Sequence, residues 1–171
     1  MTIDRAFAAL TLMSLVAACQ STPETNEASA IERARGVVPV SAQTEAPDPG
    51  ALGSYSIPSG RCGMVLWARA GTDTVPIFRA FENGEGMMEI DGKLTTLTRS
   101  RSSGEARATI PNAQVFQARG EGGQLVTVEA NTVWGVNFPG GSYVERGTIT
   151  LTGADGWSRV LPVAGIAGCK A

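Results

Sequence analysis

Residues 54–171 predict an all-β domain, a small antiparallel barrel or sandwich of about eight or nine strands. Three observations carry this expectation. Short runs of β-branched, aromatic and aliphatic residues recur roughly every 8–12 residues, punctuated by Gly, Asp, Asn and Ser. Some runs alternate cleanly: Val126, Val128 and Ala130 fall on one face against Thr127 and Glu129, and Ile149 and Leu151 oppose Thr148, Thr150 and Thr152. No helical pattern long enough for a crossover separates the runs, which favours antiparallel pairing. The 21 glycines suit a chain that turns often and tightly.

The first run, residues 64–69, is apolar up to Ala68, as a central strand would be. Residues 75–81 form the second, and Pro76, which has no N–H, places that end at an edge or a strand start. Residues 87–90 and 93–98 flank Asp91-Gly92, a pair suited to the positive φ angles of a type I′ turn, so they read as a hairpin. Leu94 and Leu97 differ in parity there, which predicts a bulge or a longer loop. Residues 105–110 and 113–118 follow, parted by Pro111-Asn112, then residues 125–132, 143–152 and 157–163. Gly120-Glu121-Gly122-Gly123 lacks the strand–helix setting and the Lys-Thr of a phosphate loop and reads as a hairpin turn. Trp67 and Trp157 are expected in the core.

Upstream the texture changes. Residues 20–53 are rich in Ser, Thr, Pro, Glu and Ala and cannot bury enough apolar surface to offset their chain entropy, so residues 19–53 are expected to be a disordered tether. Its r.m.s. reach would be roughly 30–35 Å. Residues 6–16 are mostly Ala, Leu, Phe, Met and Val, too short a run for a membrane helix, which needs about 20 apolar residues. They end in Val16-Ala17-Ala18-Cys19. This sequence resembles the lipobox of bacterial lipoproteins: aliphatic, small, small, Cys. The resemblance implies that residues 1–18 are a signal peptide cleaved before Cys19, whose thiol takes a diacylglyceryl group and whose amine takes a further chain such as palmitate. Two or more chains anchor a protein stably, so the membrane becomes a partner through the lipid on Cys19. Gln20, standing where an Asp would signal inner-membrane retention, points to the outer membrane facing the periplasm.

With Cys19 spent on lipid, Cys62 and Cys169 in an exported chain read as a disulfide. It would close a loop of about 100 residues, worth roughly 4–5 kcal/mol in the chain-entropy model. The sequence contains no histidine, which removes the usual general base, the commonest zinc ligand and any Ser-His-Asp arrangement. No cofactor or metal is expected. The acidic residues show no distinctive spacing, so a carboxylate-dependent enzyme is the least favoured reading, and the chain is expected to act without catalysis. Residues 54–171 hold eleven basic and ten acidic side chains, without the basic excess that nucleic-acid binding demands.

Two stretches are candidate binding sites. Trp134 and Phe138 lie in a loop-like segment and would offer an exposed aromatic pair at a tip. Arg99 and Arg101, on a Ser-rich flexible loop, would meet an anionic partner. Residues 86–104, with Gly-Met-Met-Glu-Ile-Asp-Gly-Lys-Leu-Thr-Thr-Leu followed by Ser103-Gly104, distantly resemble the membrane-bound inhibitors of C-type lysozyme. Those are small β-barrel lipoproteins in which a Ser-Gly-x-x-Tyr loop enters the lysozyme cleft. Arg107 stands where that family has Tyr, and its later Lys-Gly motif corresponds at best to Arg146-Gly147, farther along than expected. The sequence therefore predicts a lipid-anchored envelope protein that binds an unidentified envelope partner in a structural or assembly role. The alternative is inhibition of a lysozyme-like periplasmic hydrolase through residues 99–107.

Overall fold

The computed structural model describes residues 45–53 and 56–171. Residues 1–18 (the expected signal peptide), Cys19 and residues 20–44 of the expected tether lie outside the described residues. Nine strands follow in order: β1 (Pro49–Gly50), β2 (Cys62–Ala70), β3 (Asp73–Phe81), β4 (Glu85–Ile90), β5 (Lys93–Arg107), β6 (Ile110–Arg119), β7 (Leu125–Phe138), β8 (Gly141–Thr152) and β9 (Ser158–Cys169). Strands β2 to β9 form an eight-stranded antiparallel barrel in which each pairs with its neighbour in sequence and β9 returns to β2. Of barrel and sandwich, the barrel is the architecture. Short turns make this path natural: Asp91 (φ 52°) and Gly92 (φ 74°) close the β4–β5 hairpin as the Asp-Gly pair predicts.

The interior is filled. Phe78 and Phe116 meet edge to face with ring centroids 5.3 Å apart, and Met64, Leu66, Met88, Leu97, Ile149 and Leu151 are fully buried around them. The β4–β5 register runs unbroken from Ile90↔Lys93 to Glu85↔Thr98, so the parity conflict is resolved without a bulge: Leu97 points inward and Leu94 is left 58% exposed. Pro76 sits at a register shift opposite Trp67, where its missing N–H costs no ladder bond. At Gly165 a side chain has no room, because a Cβ would lie 2.1 Å from the carbonyl oxygen of Val65. The glycine lets β9 close onto β2.

The domain begins earlier than Gly53. Strands β3 and β4 pair only over Phe78–Ala80 and Gly86–Met88, leaving a gap in the wall. Strand β1 fills it, with Pro49↔Ile90 and Gly50↔Glu89, while the Leu52 N–H donates to the Pro76 carbonyl at 2.7 Å. Pro47 and Leu52 are buried. The tether expected to run to Gly53 therefore gives up its last residues to the barrel. A two-residue strand needs only unpaired backbone opposite it, so no apolar run in the sequence announces it.

Cys62 and Cys169 face one another across β2 and β9 and form a disulfide spanning 107 positions. Beside it, Glu82 accepts from the Cys62 N–H at 3.0 Å and from the Arg61 guanidinium. Burial pushes the Glu82 carboxyl up, but hydrogen bonds from backbone and Arg61, with the Arg61 charge, outweigh it and hold the group below the usual carboxylate range.

Two outcomes are expected. Cys62→Ala should lower stability by about 2–5 kcal/mol in urea denaturation, and an unchanged midpoint would mean that the β2–β9 ladder closes the barrel unaided. Glu82 has a depressed folded-state pKa, so its contribution is present above the unfolded-state value and is lost as pH falls through the folded one. Glu82→Gln should accordingly flatten the acid side of the stability–pH curve; equal acid slopes in the two proteins would refute that role.

Candidate functional site

Two surfaces stand out, one at the disulfide end of the barrel and one in its wall. At the disulfide end, β5 loses its β4 partner beyond Thr98, and its remaining residues pair only with β6. Strand β7 likewise loses β6 beyond Asn131 and continues with β8 alone. Two hairpin tips thus rise above the barrel. They lean on each other through Trp134, whose indole N–H donates to the Glu105 carbonyl at 3.0 Å, and through Arg107. The Arg107 Nη1 donates to the Gly135 carbonyl and to Asn137 Oδ1, each at 2.8 Å, and its Nε meets Glu105 at 3.0 Å. Its guanidinium lies 5.9 Å from the centre of the Trp134 ring.

This changes several expectations. Residues 99–104 are strand, not a flexible loop, and two register shifts, at Arg99/Arg101 and Ser103/Ala106, absorb their irregularity. Arg99 clamps the β3–β4 turn, donating to the Glu82 carbonyl at 2.9 Å and to Gln114 Oε1 at 3.0 Å, so it is not available to an anion. Arg101 and Ser103 remain exposed and line a dip of about 130 Å³ with Gln114, Glu129 and Asn131. Gly104 is at φ 82°, with the Asn112 side chain against it. Trp134 and Phe138 belong to β7, not to a loop. Trp134 is buried, and Phe138 packs edge to face on Tyr143 at 5.0 Å. The expected assignment of tryptophans is reversed: Trp134 is the buried one and Trp157 is 62% exposed. Alternation stops being readable beyond Thr132 because Gly135 and the register shifts around Trp134 interrupt it.

The tip of the β5–β6 hairpin is strained. Its two turn residues, Ala108 (φ 46°) and Thr109 (φ 63°), occupy the left-handed region, where a β-branched side chain is an outlier. Such strain concentrates where a fixed tip shape is used.

The second surface escaped the sequence reading. A cleft of about 630 Å³ opens in the wall between the end of β2 and the start of β9. Trp67, Tyr143, Leu161, Val163 and Ile166 line it, and Arg69 is the only charged residue on it. The outward positions of β9 around it, Val160, Pro162, Ala164 and Ile166, are all apolar. A strand apolar on both faces reads as buried, yet in this single-layer barrel no other strand among the described residues lies over the outer face of β9. That mismatch between pattern and architecture was the available signal. Among the described residues, no group of three or more His, Cys, Asp or Glu is placed to hold a metal.

No protein-family model, curated protein or solved structure matches the chain.

Replacing the strained turn by a relaxed one provides a direct check. Ala108→Asn with Thr109→Gly should raise stability by about 1–3 kcal/mol, since Asn-Gly suits positive φ at both positions. Calorimetry showing no gain or a loss would mean that the turn is not under strain.

Proposed function

We propose that this chain is a lipid-anchored bacterial envelope protein that acts by binding, in a structural or assembly role at the outer membrane, through the apolar cleft in its barrel wall. The cleft carries the reading. Tyr143, which lines it, is 49% exposed, Val160 next to the lining residue Leu161 is 59% exposed, and a concave apolar site of this size on a folded domain is the usual form of a binding surface. The lipobox-like Val16-Ala17-Ala18-Cys19 supports the anchor, and the Cys62–Cys169 bridge supports an oxidising compartment. The absence of histidine supports binding over catalysis. A second reading, inhibition of a lysozyme-like hydrolase, draws on the protruding β5–β6 tip with its exposed Ser103 and Gly104.

Photo-crosslinking in intact cells separates the two. A photoreactive side chain placed at Val160 should capture an envelope protein, whereas one at Leu94, on the β4–β5 hairpin, should not. Cys19→Ser should remove the lipid and prevent normal cleavage, and reduce capture at least several-fold. Capture of a soluble muramidase from Ser103 alone would overturn the cleft reading in favour of the second. Mass spectrometry that finds a mature N-terminus other than acylated Cys19 would overturn the anchor.

A further inference from the structure

We infer that the cleft accepts an extended peptide strand, which pairs with the open edge of β9, presents apolar side chains at alternate positions and sets an acidic group beside Arg69. This rests on the cleft being the binding surface and names what occupies it.

The argument starts from the backbone. Trp67↔Ala164 is the last rung between β2 and β9. Strand β9 extends back from there to Ser158, and over residues 158–163 it is paired with β8 alone. Strand β2 extends forward to Ala70, and its last residues are paired with β3 alone. Alternate residues of a strand direct their N–H and C=O groups to each side. The stretch therefore presents peptide groups to the cleft that have no ladder partner among the described residues, and Pro162 alone in it lacks an N–H. Residues 158–163 span about 20 Å, an ordinary strand length.

The floor of the cleft is apolar, with Ala68, Val144, Leu161 and Val163 reaching it from inside the wall. A hydrocarbon chain would suit that floor but would cover the edge without pairing it, leaving peptide groups buried and unsatisfied, which is unfavourable. An added strand satisfies floor and edge together. By contrast, the open edge on β5 beyond Thr98 is blunted: it carries two register shifts and the charges of Arg101 and Glu105. The β8–β9 ladder runs without a shift from Thr152↔Ser158 to Gly147↔Val163, so this edge is regular. A strand added antiparallel to β9 has its C-terminal end toward Ser158, the end of the barrel at which Arg69 also lies. With no acid among the lining residues, Arg69 favours a carboxylate there.

The test uses the full chain carrying Cys19→Ser, immobilised and screened against a random heptapeptide library. Selected peptides should alternate apolar and polar residues and carry an acidic residue or a free carboxylate at the C-terminal end. Methylating alternate backbone nitrogens of the best peptide should weaken binding at least tenfold. Arg69→Gln should weaken it several-fold, and amide exchange over residues 158–163 should slow in the complex. Three results would overturn the inference: no enriched pattern, an N-methylated peptide that binds as well as its parent, or displacement of the peptide by palmitate with no protection of β9 amides. The last would assign the cleft to an acyl chain. If crosslinks from Val160 persist in cells while any of these holds, only the strand occupant fails. If the crosslinks vanish too, the binding reading falls with it.

Discussion

The β2–β9 ladder joins the first strand of the barrel to the last, and the rest of the molecule depends on it. Without it the meander is an open sheet with two raw edges, and its filled interior loses a wall. Six rungs make the closure, from Cys62↔Cys169 to Trp67↔Ala164. Gly165 allows the approach because any side chain there would strike the Val65 carbonyl. The disulfide fixes one end of the ladder and removes loop entropy from the unfolded chain. The other end stops short of the strand termini, and that early stop makes the cleft. Closure and cleft are two outcomes of one register.

The two ends of the barrel differ in how they treat surplus strand. At the disulfide end the surplus lengths of β5–β6 and β7–β8 are tied together by Arg107, Trp134 and Asn137, and Ser142 donates to the same Asn137 oxygen at 2.6 Å. These bonds tie the two tips to each other in a fixed shape. At the cleft the surplus has no second ladder partner among the described residues and is flanked by apolar side chains. One region has its hydrogen bonding spent internally and the other keeps it in reserve.

Much of the fold was legible in the sequence, because period-two alternation and Asp-Gly chemistry are local signals. The β4–β5 hairpin, the run through Leu125 to Thr132 and the cysteine pair were readable for that reason. What escaped depended on partners distant in the chain. Strand β1 exists because β3 and β4 diverge, which neither of its residues encodes. Residues 99–104 look like a loop because Ser, Arg and Gly favour exposure, but a protruding strand is exposed on both faces and takes the same composition. Trp134 looked loop-borne because Gly135 and nearby register shifts break the alternation that would have extended β7. Of the candidate residues, Arg107, Trp134 and Phe138 are brought to one end, whereas Arg99 is turned to structural duty.

Polypeptides are made from the N-terminus, and the strand that completes this barrel emerges after the other eight strands of the sheet. Until Ser158–Cys169 has emerged, β2 has no partner on its outer side and Cys62 has no thiol to join. Closure therefore waits for the ninth strand and is slow in the way that distant pairings are slow. During that interval the nascent domain carries exposed apolar strand that any passing edge could capture. A chain that stopped before Ser158 would be an unclosed sheet, so this one strand decides whether the product is a barrel at all.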